Sequence, residues 1–399
     1  MSTHGLAWTL EIVTTVLAVA GIAYYFIAII AARLLILARR APLPSFTPSV
    51  SILKSLKGLD PGMLDAFRSH CRQNYAGEFE LLFGFSSGDD PALPAVHQLQ
   101  AEFPNHTIHL IECPARLGSN GKVSTLVQLV PHARFEYLLI NDSDITVGPH
   151  YLTRVMDQFV PRQSRPSDQR PKSVGLVTAL YRGRAHGSLG SRFESLTIAT
   201  DFMPSVLVAR ALEGGLRYGL GSTLAVSREA LEKIGGFEAL VDRLADDYEL
   251  GERIFQSGYR IALSAEVVET SIPAYNWRGF CDHQLRWLRT VRDARPAGYA
   301  GLIFTQGFSA AVINLVASGI SPLSLWILTL SFFLRLSLAM TVGAEVLGDH
   351  QVLPSLWLLP FRDIVATVLW VGGFASNTIV WRGERFEVRQ GKLHHSARP

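Results

Sequence analysis

Charged residues and cysteines are both scarce in this sequence. Asp, Glu, Lys and Arg make up only 18% of the 399 residues, whereas hydrophobic residues make up 48%. This balance is unusual for a wholly soluble enzyme, so we expect part of the chain to lie in lipid. The formal net charge of +3 is too small to indicate nucleic acid as a partner. Three cysteines are too few for a zinc site and suggest a reducing compartment.

No Lys or Arg precedes the first apolar segment, residues 8–37. This segment is longer than the core of a signal peptide and is long enough to span a bilayer. Arg33, Arg39 and Arg40 lie at or just beyond its end, so the positive-inside rule places the following polypeptide in the cytoplasm. We therefore predict a transmembrane helix in residues 1–40, followed by a proline-rich linker over residues 41–49.

The hydrophobic pattern changes after residue 49 to an alternation of strands and helices. Strands are predicted at 50–56, 79–85, 107–112 and 138–144, with helices at 61–75, 92–103 and from about 122 to 130. Such an alternation indicates an α/β fold with a parallel, doubly wound sheet, whose functional groups gather at the strand ends. The predicted globular domain covers residues 50–296, and residues 161–172 are interpreted as a mobile surface insertion.

The fourth predicted strand ends in two carboxylates, Asp142 and Asp144. Where the chain turns after a strand, these two side chains can converge on one hard cation such as Mg²⁺ or Mn²⁺. A cation held there would bind the diphosphate of a nucleotide. The alternative is structural, with Asp142 capping the next helix and Asp144 as a solvated turn residue.

Two other strand ends carry candidate binding residues. Asp90, or its neighbour Asp89, is placed to hydrogen-bond a ribose or a base, and helix capping is the alternative. The loop over residues 117–122 contains two glycines and ends in Lys122, which resembles a phosphate-binding loop without forming a Walker motif.

A second acidic site lies at residues 244–250, at the start of a predicted helix that ends near Gly258. Acids at a helix start are stabilised by the helix dipole, which is the structural interpretation of Asp246. Asp247 could instead face the cleft as a general base, if it lies within hydrogen-bond reach of an acceptor hydroxyl.

The third candidate site is the run from Asp282 to Trp287. Helical spacing places His283 and either Arg286 or Trp287 on one face. Several arginines surround this run just before an apolar region, and an anchor at the membrane interface is one interpretation. Arg286 could also contact diphosphate oxygens, because its planar guanidinium matches their geometry.

These motifs, in this order and spacing, resemble the D, D, D, (Q/R)xxRW series of membrane glycosyltransferases with a GT-A fold, above all the ceramide glucosyltransferase family. The matching segments are Asp90, Asp142-Ser143-Asp144, residues 245–248 and residues 283–287, and residues 50–61 and 89–92 are similar to the opening motifs of that family. The resemblance covers most of the chain. It implies that Asp90 binds nucleotide, Asp142 and Asp144 bind the metal-diphosphate, and Asp247 is the base, with Arg286 and Trp287 closing the site.

Three features differ from the family pattern. His283 occupies the first position of (Q/R)xxRW, residues 201–204 lack the Ser-His-Pro of animal ceramide enzymes, and the loop at residues 161–172 is longer. A bacterial branch of the family, associated with hopanoids and thought to transfer N-acetylglucosamine to a hopanoid polyol, is therefore an alternative. A processive polysaccharide synthase and a catalytically silent membrane scaffold are two further alternatives. His283 is interpreted as a structural or substrate contact.

The carboxyl-terminal part contains three apolar stretches, residues 301–320, 323–347 and 353–380. If the basic tail is cytoplasmic, an even number of crossings follows the globular domain, and residues 301–320 are then interfacial or re-entrant. We predict a membrane region over residues 297–381 and a cytoplasmic tail over residues 382–399. Arg335 and the Arg362-Asp363 pair could line a groove for a lipid acceptor, or simply pair with one another.

Together these features predict an inverting glycosyltransferase in a multi-pass membrane protein of the bacterial inner membrane. Its GT-A domain would face the cytoplasm and move glucose or N-acetylglucosamine from a UDP-sugar to the hydroxyl of a ceramide-like lipid. The expected cofactor is Mn²⁺ or Mg²⁺. The expected partners are the UDP-sugar, the lipid acceptor and the bilayer, with no nucleic acid.

Overall fold

The computed structural model describes residues 3–38, 46–160, 173–381, 384–389 and 391–395. The predicted insertion at residues 161–172 and two of the basic residues behind the topology prediction, Arg39 and Arg40, lie outside these ranges. The chain divides into two compact units. The sheet unit comprises Ala41–Arg184, Glu213–Pro273 and Glu387–Pro399, and the helical unit comprises Met1–Arg40, Ala185–Leu212 and Ala274–Phe386.

The described elements follow one another as α1 (Thr3–Ala38), β1 (Val50–Ser55), α2 (Met63–Cys71), β2 (Phe79–Phe85), α3 (Leu93–Glu102), β3 (Thr107–Glu112), α4 (Gly121–Leu129), β4 (Tyr137–Ile140), β5 (Ile145–Thr146), α5 (Tyr151–Met156), β6 (Val174–Ala185), α6 (Leu189–Thr197), α7 (Met203–Leu212), β7 (Leu224–Ser227), α8 (Arg228–Lys233), α9 (Asp246–Gln256), β8 (Arg260–Ile272), α10 (Trp277–Ala294), α11 (Pro296–Gly301), α12 (Gly307–Ala317), α13 (Pro322–Leu338), α14 (Leu359–Gly372), β9 (Thr378–Trp381), β10 (Glu384–Arg389) and β11 (Lys392–His395). Two π-helical segments, Ile198–Phe202 and Ala339–Val346, continue α6 and α13.

The sheet unit is built on eight strands in the order β3-β2-β1-β4-β7-β6-β8-β5. Strand β1 pairs in parallel with β2 and β4, and β2 pairs in parallel with β3. In contrast, β7 runs antiparallel to both β4 and β6, and β5 runs antiparallel to β8. The expectation of a parallel sheet is therefore wrong for this half. Strands β1 to β4 are each connected to the next by a helix, and they run parallel to one another. No helix separates β4 from β5, which follows through a short turn, so this constraint on strand direction ends there.

The core of the sheet unit lies around the parallel strands. Ile52, Leu82 and Leu139, one from each of three neighbouring strands, are at most 1% exposed. Parallel strands are covered by helices on both faces, and this explains why their sequences read as almost continuous apolar runs. Lys54 is the exception in β1, because this charged residue is fully buried.

Among the described residues, the helical unit contains four helices that are long and apolar enough to cross a membrane, namely Ala7–Leu37, Leu189–Leu212, Pro322–Val346 and Leu353–Ala375. A fifth candidate is the pair Pro296–Thr305 and Gly307–Ala317, which is bent by 57° and has the shape of a broken span or a re-entrant loop. The second of these helices falls within residues 50–296, the range predicted for the globular domain. The number of crossings and the domain boundaries remain predictions.

Helices α1 and α12 approach one another closely inside the helical unit. A β-carbon built on Gly21 would lie 2.1 Å from the α-carbon of Gly307, so neither position has room for a side chain. The Asn314 amide then donates to the hydroxyl of Thr15 at 2.7 Å and to the backbone carbonyl of Glu11 at 3.1 Å. The polar side chain of Asn314 on α12 therefore finds its hydrogen-bond acceptors on α1.

The last described segments of the chain, β9, β10 and β11, are strands. The third apolar stretch, predicted over residues 353–380, is helical only as far as Ala375. Strands β9, β10 and β11 follow and form a separate three-stranded sheet in the order β11-β10-β9.

Candidate active site

The first acidic site follows directly from the end of β4. The Asn141 side chain is 1% exposed and donates to the carbonyl of Ser222 at 2.6 Å and to the hydroxyl of Tyr151 at 2.9 Å. Its amide oxygen lies 3.2 Å from Nε2 of His70. These bonds hold the chain at the point where it leaves the sheet, so the two carboxylates after Asn141 project from a fixed turn.

Asp142 and Asp144 have different surroundings within this turn. The Asp142 side chain is 46% exposed, and Oδ1 lies 2.6 Å from the Nζ of Lys122. Asp144 is more buried and accepts a hydrogen bond from the hydroxyl of Thr270 on β8. Burial, followed by the charge of Asp142, raises the pKa of Asp144 to about 6. Asp142 does not cap the next helix, α5, whose N-cap is His150.

Lys54 lies beneath the acidic turn and was not identified from the sequence. Its Nζ donates to the backbone carbonyl of Asp142 at 3.1 Å. Burial lowers the pKa of Lys54 to about 7, although the charges of Asp144 and Asp142 act in the opposite direction. The signal that could have identified it is a single charged residue within a predicted buried strand.

Lys122 connects the first acidic site with the second. Its Nζ lies 2.6 Å from Asp142 and 3.7 Å from Oδ2 of Asp246. Burial opposes the charge of this amine, but Asp142 and Asp246 raise the pKa of Lys122 above its usual range. The amine is therefore fully protonated, and it links two carboxylates that are far apart in the sequence.

Asn120 sets the position of Lys122 relative to the second site. Its side-chain oxygen caps α4 by accepting from the backbone of Val123 at 3.2 Å, while its amide donates to the carbonyl of Arg243 at 2.9 Å. The backbone of Asn120 also donates to the carbonyl of Val241 at 2.7 Å. The loop before Asp246 is thus attached directly to the first turn of α4.

Asp247 is the second residue of α9 and lies beside this group of charges. Its Oδ1 accepts a hydrogen bond from the backbone of Tyr248 at 2.8 Å. Burial, followed by the charge of Asp246, raises the pKa of Asp247 to about 6, and the nearby Lys122 only partly offsets this. A carboxylate with a pKa near neutrality is suited to accept a proton under physiological conditions.

Three glycines hold the backbone close to Asp247. A β-carbon on Gly221 would lie 3.1 Å from Oδ2 of Asp247. A β-carbon on Gly251 in α9 would lie 2.3 Å from the backbone nitrogen of Gly219. The start of α9 therefore packs directly against the loop that precedes β7, and this packing fixes the Asp247 carboxylate.

Asp90 also belongs to the sheet unit and lies in the loop between β2 and α3. Its carboxylate accepts hydrogen bonds from the backbone of Gly58 at 3.1 and 3.2 Å and from Ala92 at 2.9 Å. It joins the loops that follow β1 and β2. The predicted contact of Asp90 with a nucleotide remains a prediction beside this structural role.

The third site lies on α10, in the helical unit. His283 Nδ1 is 2.9 Å from Oε1 of the buried Glu194, and the ring of Tyr275 stacks on the imidazole with centroids 5.3 Å apart. The Trp287 ring is 5.5 Å from His283 and 5.7 Å from Phe202. Glu194 was not identified from the sequence, because nothing in its helical segment marks it as a partner of a histidine.

Arg286 lies between His283 and Trp287 in the chain, on the same helix. Further along α10, Arg289 donates to the carbonyl of Thr378 at 2.7 Å and Arg292 donates to that of Ser376 at 3.1 Å. Two of the arginines that suggested an interfacial anchor are therefore engaged with backbone carbonyls that follow α14. An anchor at the membrane interface remains a prediction.

The carboxylates of Asp142 and Asp144 fit a divalent cation. Their oxygens are the donors that Mg²⁺ and Mn²⁺ prefer. Burial, followed by the repulsion of Asp142, raises the pKa of Asp144, and a bound cation would offset both effects. Over the parts of the chain that the structure describes, no three His, Cys, Asp or Glu side chains are grouped to hold a metal. Two carboxylates leave coordination positions for phosphate oxygens, which is common for Mg²⁺. The metal site remains a prediction.

The sheet unit, with its parallel strands β3-β2-β1-β4, has the α/β architecture expected for a GT-A fold. Among solved structures, the chain is similar to mannosyltransferase PcManGT from Pyrobaculum calidifontis, determined in complex with GDP-Man and Mn²⁺. The TM-score is 0.55 at 19% sequence identity, over 92% of this chain and 98% of that one. This likeness confirms the predicted fold class.

A sequence profile of glycosyl transferase family 21 matches residues 13–394, and the chain belongs to that family. Ceramide glucosyltransferase 3 of Caenorhabditis elegans is 24% identical over 397 residues, which cover 95% of this chain and 82% of the relative. Ceramide glucosyltransferase 1 of the same organism is 23% identical over 86% of this chain and 72% of its own length. The resemblance identified from the motifs is thus confirmed, and the protein is an enzyme that transfers sugar.

Proposed function

We propose that this enzyme transfers a sugar from a UDP-sugar to the hydroxyl of a ceramide-like lipid, with inversion at the anomeric carbon. The observation that carries the proposal is the group formed by Asp142, Lys122, Asp246 and Asp247. There a protonated amine links two carboxylates, 2.6 and 3.7 Å away, beside a third carboxylate with a pKa of about 6. The Lys122 ammonium and a cation held by the neighbouring carboxylates would together supply the positive charge that a nucleotide-diphosphate donor needs, and an attacking alcohol needs a base such as Asp247.

The donor side of the reaction is assigned to the turn after β4. Asp142 and Asp144 would hold a divalent cation, which neutralises the diphosphate and makes UDP a better leaving group. Lys122 then supplies a further positive charge at the same place. Asp90 and Asp246 are proposed to contact the donor. Arg286, whose guanidinium can hold two phosphate oxygens at once, is proposed to do the same.

Asp247 is proposed as the general base. Its carboxylate accepts the proton of the lipid hydroxyl while the hydroxyl oxygen attacks the anomeric carbon. The bond from that carbon to the phosphate oxygen of UDP breaks on the opposite face, so an α-linked donor gives a β-glycoside and free UDP. His283 and Trp287 are proposed to contact the substrate. No covalent intermediate with the enzyme is needed.

The acceptor proposal rests on the relatives and on the membrane helices. Both relatives named above are ceramide glucosyltransferases, which favours a ceramide-like acceptor and glucose as the sugar. Four apolar helices of membrane-spanning length agree with an acceptor that never leaves the bilayer. The basic residues after the first apolar segment favour a GT-A domain over residues 50–296 on the cytoplasmic face of a bacterial inner membrane.

The test is a transfer assay with the purified full-length protein in phospholipid vesicles. UDP-glucose, UDP-galactose and UDP-N-acetylglucosamine are each combined with Mn²⁺ and with ceramide, diacylglycerol or a hopanoid polyol, and products are identified by mass spectrometry. We expect a glycosylated ceramide that disappears when EDTA replaces Mn²⁺. The absence of any glycosylated lipid, in all nine combinations, would overturn the proposal.

The base is tested by Asp247→Asn, with Glu252→Gln on the same helix as the matched control. We expect the first variant to lose transfer while it still binds UDP, and the second to retain both. Turnover of Asp247→Asn at the wild-type rate would exclude Asp247 as the base.

A further inference from the structure

Four ionised side chains from three apolar helices form a cluster inside the helical unit. Arg335 binds Asp363 through two hydrogen bonds of 2.8 and 3.0 Å. Arg362 Nη2 lies 2.5 Å from Oδ2 of Asp201. The formal charges of the four groups sum to zero, and charged groups in membrane helices are rare unless they serve a function.

The two arginines of this cluster are not equally satisfied. Arg335 also donates to the carbonyl and the hydroxyl of Thr200, at 2.6 and 3.2 Å, so each of its three nitrogens has an acceptor. The Arg362 side chain is only 2% exposed, yet its Nε and Nη1 have no hydrogen-bond acceptor among the residues the structure describes. Nη1 is 3.1 Å from Oδ1 of Asp363, as an ion pair without hydrogen-bond alignment.

Unpaired donors in an apolar layer are unfavourable, because no bulk water is present to satisfy them. A purely structural cluster would therefore be expected to pair the Arg362 nitrogens within the protein. Ser331 adds to the imbalance, since its fully buried hydroxyl also lacks a partner within the described ranges. It lies one turn before Arg335, on the same face of α13. Arg362 and Ser331 thus carry buried polar atoms that have no hydrogen-bond partner among the described residues.

Asp201 is the accessible member of the cluster. Its side chain is 27% exposed, whereas those of Arg335, Arg362 and Asp363 are at most 7% exposed. It lies in the π-helical segment Ile198–Phe202, and segments of this kind are frequent at functional sites. The adjacent Phe202 packs edge-on against Trp287, with ring centroids 5.7 Å apart. The open side of the cluster therefore lies next to a residue proposed above to contact the substrate.

The chemistry of the cluster defines a class of ligand. Arg362 Nε and Nη1 require acceptor oxygens, whereas the partly exposed carboxylate of Asp201, already paired with Arg362 Nη2 through Oδ2, can accept a further hydrogen bond. An anionic head group would be repelled by Asp201, and the apolar surroundings exclude a strongly hydrated one. The fitting group is neutral, belongs to a lipid, and carries both hydroxyl or amide hydrogens and oxygens.

We propose that Asp201 and Arg362 bind the amide and hydroxyl groups beside the reacting hydroxyl of the acceptor lipid. They thereby select lipids that carry these groups over lipids with a single hydroxyl. This inference rests on the proposed function, because it assigns the acceptor part of the same reaction. Asp201 and Arg362 act in binding and take no part in the proton transfer assigned to Asp247.

The test uses the full-length protein in phospholipid nanodiscs with the UDP-sugar that the wild type uses. Initial rates are measured with ceramide and with diacylglycerol of matched acyl chains, for Asp201→Asn and Asp201→Glu. The control is Arg33→Gln, which removes an exposed ion pair with Glu345 in the same unit. We expect Asp201→Asn to raise the KM for ceramide about tenfold or more, as loss of a hydrogen bond to a charged group does. The KM for the UDP-sugar and its slow hydrolysis without acceptor stay unchanged, and the preference for ceramide over diacylglycerol disappears.

A folded Asp201→Asn protein with the wild-type KM for ceramide would overturn the inference. An equal rise of the KM for ceramide and the KM for the UDP-sugar would overturn it too. If Asp201→Asn does not fold, Asp201→Glu decides, because it keeps the charge opposite Arg362 but moves the carboxylate by one methylene. A raised ceramide KM then supports the inference and an unchanged one overturns it. Failure of both variants to fold marks a structural cluster and also overturns it. A wild type that glycosylates no lipid contradicts the proposed function itself, before any variant is measured.

Discussion

The Asp247→Asn variant should be inactive but more stable than the wild type. Burial and the charge of Asp246 raise the pKa of Asp247 from 3.8 to about 6. A carboxyl whose pKa is raised on folding contributes stability that is complete below pH 3.8 and is lost as the pH rises through about 6. At pH 7.5 the ionised group therefore destabilises the protein by up to about 3 kcal/mol, and a neutral amide removes this effect.

The gain in stability of Asp247→Asn over the wild type is measured by thermal unfolding of both proteins in the same detergent at pH 7.5 and pH 4.5. With an unfolding entropy of about 2.1 cal/mol/K per residue, 3 kcal/mol corresponds to a rise in Tm of about 4 °C for 399 residues. At pH 4.5 the wild-type carboxyl is largely protonated, and the gain should fall to about 1 °C. Glu252→Gln should show no gain at either pH. A variant that is no more stable at pH 7.5, or equally stabilised at both pH values, would refute this reasoning.

Three other substitutions test the packing and charge of the two units. Lys122→Met removes the cation between two acidic sites, so the KM for the UDP-sugar should rise about tenfold in a steady-state assay. Gly221→Ala places a β-carbon 3.1 Å from the Asp247 carboxylate, so kcat should fall about tenfold while UDP binding in calorimetry is unchanged. Gly21→Leu places a β-carbon 2.1 Å from the backbone of Gly307, and the separation of α1 from α12 should lower the Tm by several degrees.

Each of these substitutions has a matched control. Lys122→Arg keeps the charge and should lose less donor affinity than the methionine variant. Gly88→Ala and Gly301→Ala introduce a methyl group where no atom lies within 4 Å, so both should behave as the wild type. The argument for Lys122 would be contradicted if Lys122→Met kept the wild-type KM for the UDP-sugar. The argument for Gly221 would be contradicted by a wild-type kcat in Gly221→Ala. The argument for Gly21 would be contradicted by a wild-type Tm in Gly21→Leu.

The parallel half of the sheet could be predicted because its strands are buried on both faces. Strands β2 and β4 read as largely apolar runs for that reason. Strand β8, Arg260–Ile272, was missed because polar residues recur along it and only some of its positions are buried. The antiparallel direction of β7 depends on pairing between distant segments, which leaves no local pattern. The helix Leu189–Leu212 falls within the predicted globular domain, and its apolar sequence is interrupted by Arg192, Glu194 and Asp201.

The acidic residues of the candidate site were predictable, but most of their partners were not. Asp142 and Asp247 stand at a strand end and a helix start, where the sequence shows acids directly beside apolar runs. Thr270, which binds Asp144, lies on the strand that was missed. The link from Lys122 to Asp246 depends on the bond between Asn120 and the carbonyl of Arg243, a contact between segments far apart in the chain. Contacts of this kind appear only once the fold is known.

The anomeric configuration of the glycolipid product tests the central claim most directly. The purified protein would be incubated with a UDP-sugar of α configuration, Mn²⁺ and ceramide, and the anomeric coupling of the product would be measured by nuclear magnetic resonance. A single displacement, with Asp247 as base and UDP leaving from the opposite face, predicts a β-glycoside. An α-glycoside would contradict that account, because it requires retention through a second displacement or a different arrangement of base and leaving group.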